Sequence, residues 1–322
     1  MKVGILQFFS WPGRRQALTS VYARAMQRIE IMEQSGYDAV WLTEHHFSDY
    51  SVCPSIPVMG AYAAARTRRL RIGAAVTLAA FYHPLRLAEE LALLDILSGG
   101  RLNWGAGRGF DAHEFRTFGI TMEQSAARFQ EAVAIVLRAW QSGPMAYRGQ
   151  FFSFDSIEVL PKPLQQPHPP VWIACGSAES LRYAAASGHS VLLGPHSTFA
   201  EMGRDRDLWR AELENHGHSM AGREVPMARL MAIAATDAEA ERVARDGVKW
   251  LIQTYVDPRR FAPSGDPIER YLRSVVVHGT AERVADQIAR IREDIGMDYL
   301  IGAPLSHETF VAFTERVLPA LL

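Results

Sequence analysis

The sequence predicts a (β/α)8 barrel with insertions, on three observations. Eight short β-type runs alternate with longer runs of helical periodicity along 322 residues. Parallel strands joined by helices are the economical reading of that alternation. No linker divides the chain, and a closed barrel typically needs ~250 residues, which leaves a surplus for insertions. An open doubly wound sheet also holds eight strands, but the strand count and the missing linker favour closure. We expect one barrel domain over residues 1–322, with insertions near 143–170 and 257–277.

Val3–Phe8 reads as the first strand. A helix over Ala17–Ser35 follows, with Val21, Met26, Ile29 and Met32 at helical spacing and a stop at Gly36. Asp38–Thr43 is a buried strand, and Ile56–Arg66 is a small-residue helix opened by Pro57, which suits a first turn. Leu70–Thr77 is a strand, and Pro84–Leu97 is a helix ended by Gly99-Gly100. Arg101–Gly105 is a strand and Glu123–Trp140 a long helix. The tract 143–170 is rich in proline, and Phe151–Phe154 with Ile157–Leu160 suggest a small hairpin inside it. Strands at Val171–Cys175, Ser190–Leu193, Met227–Ala235 and Tyr299–Ile301 complete the eight. Their helices fall at Ser177–Ser187, within Phe199–His216, at Asp237–Thr254, Ala281–Ile295 and Glu308–Leu321. Pro258, Pro263, Gly265 and Pro267 mark Asp257–Val277 as loop-like.

Composition excludes several classes. Lys plus Arg is 34 and Asp plus Glu is 35, a net charge of −1. A nucleic-acid or anionic-membrane binder would show a basic excess. Cys53 and Cys175 are the two cysteines, too few for a disulfide framework or a cysteine zinc site. The apolar start Val3–Phe9 is broken by Gly4 and Gln7 and lacks a cleavage site, so it is no secretory signal. No run approaches the ~18 apolar residues of a membrane helix. These features read as a soluble, cytoplasmic protein.

In a barrel, function sits where strands end. Strand two is followed by Glu44-His45-His46-Phe47. Neighbouring strand residues face opposite ways, so one histidine is expected to aim into the mouth. A metal reading is weaker, because barrel hydrolases take spaced ligands from several strands and only His196 stands at a comparable place. Strand four is followed by Gly105-Ala106-Gly107-Arg108-Gly109-Phe110. That is not the dinucleotide fingerprint Gly-x-Gly-x-x-Gly. Its glycines let a ligand approach the backbone, and Arg108 suits a phosphate; the alternative is a tight turn with a solvated arginine. Strand five is followed by Gly176-Ser177-Ala178-Glu179-Ser180, opening a helix. That is either an anion site or a helix simply capped by Ser177. Arg66–Arg71 reads as a solvated helix end without function.

The run Gly36-Tyr37-Asp38-Ala39-Val40-Trp41-Leu42-Thr43-Glu44-His45-His46-Phe47 resembles the bacterial luciferase-like, flavin-dependent monooxygenases. So do His83-Pro84, Leu94–Arg101, Gly105–Gly109, Glu114-Phe115 to Phe118-Gly119 and Gly279–Glu282, in the family's order. The resemblance implies the same barrel and an enzyme that takes reduced FMN from a separate reductase. Such enzymes react the flavin with O2 to a hydroperoxide that oxygenates an aldehyde, ketone or similar small molecule. It implies that His45 is the catalytic histidine, with Glu44 or a backbone carbonyl as its partner. It implies that Arg108, Ser177 and Ser180 hold the flavin phosphate beside Gly107 and Gly176. Ala75-Val76 falls where luciferases carry a non-proline cis peptide under the flavin ring. Phe8, Phe9, Trp41, Trp104 and Trp250 are candidates for an apolar wall, and no metal is implied. Gly107 replaces a reactive cysteine of luciferase, Gly176 replaces a glutamate, and the lid tract 257–277 is shorter. Alternatives on the same fold are a deazaflavin-dependent oxidoreductase and a non-catalytic flavin-binding subunit. Luciferase-like chains pair through the second helix, so we expect a homodimer with Ala61 and Ala64 near its axis.

Overall fold

A computed structural model describes residues 1–256 and 265–322. Part of the predicted insertion 257–277 therefore lies outside the described residues. The strands are β1 (Lys2–Gln7), β2 (Ala39–Leu42), β3 (Arg71–Ala74), β4 (Thr77–Leu78), β5 (Leu102–Gly107), β6 (Met145–Arg148), β7 (Ser153–Ile157), β8 (Val171–Cys175), β9 (Ser190–Leu193), β10 (Pro226–Ile233), β11 (Val277–Gly279) and β12 (Tyr299–Pro304). The main sheet runs β11-β10-β12-β1-β2-β3-β5-β8-β9, and β9 pairs back onto β10. Eight parallel strands thus close into a barrel, each returning through a helical connection. The helices are α1 (Leu18–Gln34), α2 (Ile56–Arg66), α3 (Pro84–Leu97), α4 (Ala112–Thr117), α5 (Met122–Ala139), α6 (Ala178–Ala186), α7 (Phe199–Asn215), α8 (Asp237–Thr254), α9 (Pro267–Ser274), α10 (Ala281–Ile295) and α11 (His307–Ala312). None of the described helices is long and apolar enough to cross a membrane.

The chain divides into two compact units. The first comprises Met1–Gln7, Gln34–Val40 and Ile173–Leu322; the second comprises Phe8–Glu33 and Trp41–Trp172. In the first unit, all eight residues of β10 are buried. Near-continuous apolar runs mark strands covered on both faces. Arg229 interrupts this run, fully buried. Its guanidinium donates to the carbonyls of Ala228 at 2.6 Å and Ser197 at 2.9 Å and lies over the Phe199 ring at 5.4 Å. Burial pushes its pKa down to about 9.

In the second unit, Trp41 meets Trp172 edge-on at 5.5 Å, and Trp104 meets Trp140 at 5.1 Å. Buried indole N–H groups need acceptors. Trp104 donates to the Thr77 hydroxyl at 2.9 Å and Trp140 to the Ala88 carbonyl at 3.0 Å. Trp41 and Trp104 are accordingly core residues.

Several elements differ from expectation. The run 70–77 is two strands, β3 and β4, with a cis Ala75–Val76 peptide bond between them. The hairpin pairs Met145–Arg148 with Ser153–Ile157, one segment earlier than the aromatic runs suggest. Its reversal is set by Glu131, whose carboxylate accepts from the amides of Gln150, Phe151 and Phe152. The tract read as a loop holds α9, because Pro267 is not a breaker there but a first-turn residue behind the Asp266 cap. The last helix relaxes into a π-helical turn over Phe313–Val317. Gly60 and Ala64 are buried, and a Cβ on Gly60 would come within 2.8 Å of Leu94 Cδ2. Gly60 of α2 thus lets α3 of the same protomer approach, while Ala64 is buried within the protomer and Ala61 is half-buried.

Candidate active site

The second unit gathers a polar cluster at the ends of β2, β4 and β5. β2 ends at Leu42, so Glu44, His45 and His46 lie on the loop beyond it. Strand alternation therefore does not sort the two histidines. Each side chain is 12% exposed, and each faces its own carboxylate.

His46 Nε2 lies 3.2 Å from Glu44 Oε1. Glu44 is fully buried and also accepts from the Tyr82 hydroxyl at 2.9 Å and the Leu78 amide at 3.4 Å. Burial raises its carboxyl pKa, against the opposing pull of these donors. Burial beside Glu44 also raises the Tyr82 phenol. Glu44 therefore serves His46, whereas the sequence suggested it as a partner for His45.

His45 Nδ1 lies 3.5 Å from Glu114 Oε1 on α4. The same oxygen accepts the His46 amide at 2.8 Å. His45 is further held by its own amide, which donates to the Cys53 carbonyl at 3.1 Å, and by edge-on contact with Tyr50 at 5.1 Å. Phe47, Phe81, Phe115 and Phe118 border this cluster, with Phe118 4.9 Å from the His46 ring. Phe47 adopts a left-handed φ of 58°, uncommon for a bulky residue, and stays 55% exposed.

Ala75, Val76 and Gly107 belong to the same unit. The Ala75 amide donates to the Leu42 carbonyl at 2.7 Å, and Leu78 pairs with Gly107 across β4 and β5. The next residue, Arg108, is half-buried and has no ion-pair partner among the described residues. Gly176, Ser177 and Ser180 lie in the other unit. There Ser177 accepts from the Ser180 amide at 3.3 Å, and the Ser180 hydroxyl accepts from the amides of Gly176 at 3.3 Å and Ser177 at 3.2 Å. This is a capping box, so the capping alternative describes the serines as they stand.

Sequence reasoning gave Glu114 and Tyr82 no role. Asp111 caps α4, and Glu114 stands three residues later, the spacing of a capping box. Glu114 instead turns to the histidine loop, 68 residues back in the chain. No group of three potential metal ligands occurs among the described residues.

The family of luciferase-like monooxygenases matches residues 1–299. The flavin-dependent trigonelline monooxygenase oxygenase component of Acinetobacter baylyi is 31% identical over 326 aligned positions, covering 94% of this chain and 90% of that protein. An uncharacterised protein of Sinorhizobium fredii is 40% identical over 197 residues, 61% of this chain; the match spans only 57% of that relative. Among solved structures, monooxygenase RslO1 of Streptomyces bottropensis superposes with a TM-score of 0.88 at 29% identity, with both chains fully covered. At 17% and 18% identity, two structures share the fold over 100% of this chain and 99% of theirs. They are the FMN-bound oxygenating constituent of 3,6-diketocamphane monooxygenase from Pseudomonas putida, TM-score 0.83, and an F420-dependent secondary alcohol dehydrogenase, TM-score 0.82. With a barrel of this topology and a match spanning nearly its whole length, the chain belongs to the luciferase-like monooxygenase family of flavin-dependent enzymes.

Proposed function

We propose that this chain is the oxygenase component of a two-component system, taking reduced FMN from a separate reductase and using O2 to oxygenate a small organic molecule. The observation that carries the reading is one compact unit holding two carboxylate-paired histidines and an arginine with no ion-pair partner among the described residues. Those residues fit the cofactor. Arg108 offers a planar fork to the phosphate. Ala75, Val76 and Gly107 would border the flavin ring. Reduced FMN, when bound, supplies two electrons to O2, of which one atom enters the substrate and the other leaves as water. His45 moves the proton that this exchange requires. Phe81 and Phe115 on the apolar side of the cluster would limit the water that diverts the chemistry. The relationship to the trigonelline enzyme supports a flavin and an oxygenase role.

Anaerobic titration with reduced FMN, followed by air and measurement of oxygen uptake, tests the reading. Saturable binding with substrate-dependent oxygen uptake, lost by about 10²–10⁴-fold in His45→Ala, is the expected outcome. Tight binding of reduced deazaflavin with hydride transfer and no oxygen uptake would replace it with the deazaflavin alternative. Flavin binding without turnover of either kind would point to a non-catalytic subunit.

A further inference from the structure

We propose that Glu114 is a positioning residue that keeps the proton of neutral His45 on Nδ1 and so makes Nε2 the working nitrogen. The inference rests on the proposed role of His45, and it begins with what Glu114 does not do. An acidic residue three positions after an N-cap ordinarily reaches back to the cap amide. Here Asp111 caps α4 through the His113 amide at 2.7 Å, while Glu114 points to the histidine loop. A buried carboxylate is costly unless it is bonded. Glu114 is 2% exposed, and one of its oxygens, Oε1, faces both the His46 amide and His45 Nδ1.

The 2.8 Å bond from the His46 amide fixes that oxygen in place, and His45 Nδ1 stands 3.5 Å from it. A shift of about 0.5 Å brings the pair into hydrogen-bond range, and Nδ1 must then carry the proton, because a carboxylate only accepts. The ring is confined against Tyr50. Meanwhile Glu44, with Tyr82 and the Leu78 amide, engages Nε2 of the neighbouring His46. Two carboxylates thus meet different nitrogens of two adjacent histidines: Glu44 faces Nε2 of His46, and Glu114 faces Nδ1 of His45. A carboxylate behind a histidine also steadies the cation formed when the ring accepts that proton.

The test uses the full chain labelled with ¹⁵N-histidine, with His45 assigned by comparison with His45→Ala. At alkaline pH the ring-nitrogen shifts report the tautomer without any flavin. Wild-type His45 should show the Nδ1–H form. Glu114→Gln should keep it, since the amide oxygen still accepts. Glu114→Ala should lose it to the Nε2–H form. Glu114→Gln should also lower kcat by about 10–100-fold with unchanged FMN affinity, because the charge behind the ring is gone. A wild-type Nε2–H tautomer, or one unmoved by Glu114→Ala in a protein that retains its circular dichroism, would overturn the proposal. So would a Glu114→Gln enzyme with wild-type turnover, which would leave Glu114 as a loop anchor. The expected tautomers in a protein that binds no reduced FMN would leave the positioning intact and sink the oxygenase reading instead.

Discussion

Arg108 and Glu44 define opposite electrostatic situations. Arg108 is half-buried with no ion-pair partner among the described residues, so it is available to an incoming phosphate. Arg108→Ala should weaken FMN binding by about 1.5–3 kcal/mol, the scale of a hydrogen bond to a charged group, and weaken riboflavin far less. Fluorescence titration of both flavins checks this, and equal losses would refute the phosphate assignment. Glu44 is a carboxyl whose pKa burial raises above the ordinary 4.5. The folded state then holds its proton more tightly than the unfolded chain, so its contribution to stability is present at acid pH and is lost as pH rises through the folded value. Glu44→Gln keeps an acceptor for Tyr82 and the Leu78 amide but cannot ionise. Its urea midpoint should gain on wild type more at about pH 8 than at about pH 5; an equal difference at both would show that Glu44 does not titrate differently on folding. The positions of His45, Arg108 and Ser177 just beyond strand ends were legible in the sequence, because the strands themselves are. Glu114 and Tyr82 were not, because their partners lie 68 and 38 residues away and only the closed barrel brings them together.

At the scale of elements, periodicity located the eight barrel strands and most helices, since each buries a face whose spacing is written in the chain. It failed where a single residue has two readings. Pro267 can break a helix or open one, and only its Asp266 cap decides. The aromatic run 151–154 resembles a strand, yet the Glu131 carboxylate pulls its first amides into a turn. The small residues of α2 suggested a contact between protomers; within the protomer, Gly60 already lets α3 approach closely. Ala64 is 3% exposed. Ala64→Glu should therefore bury an unpaired charge and cost about 3 kcal/mol or more, lowering the urea midpoint whatever the oligomeric state. A variant as stable as wild type would return Ala64 to the surface.

At the scale of the molecule, β2 and β8 each contribute residues to both compact units. We propose that residues 1–322 behave as one domain, because halves of one strand do not melt independently at small cost. The homodimer also remains our proposal, moved to different residues. Val58 and Tyr62 on α2 are 72% and 49% exposed, and Leu93 and Leu97 on α3 are 48% and 59% exposed. Leu160 and Leu164 add 59% and 57% in the same unit. Exposed apolar side chains grouped on two packed helices mark an association surface rather than scatter. A two-fold axis through this face would set each residue against the same patch on the other copy, so one substitution acts twice. Tyr62→Glu with Leu97→Glu alters two exposed side chains and should leave the unfolding midpoint nearly unchanged, within about 0.5 kcal/mol per site for the isolated protomer. In sedimentation, wild type should run as a dimer and the double variant as a monomer. A dimeric double variant would place the interface elsewhere, and a monomeric wild type would mean that this apolar face meets a different partner.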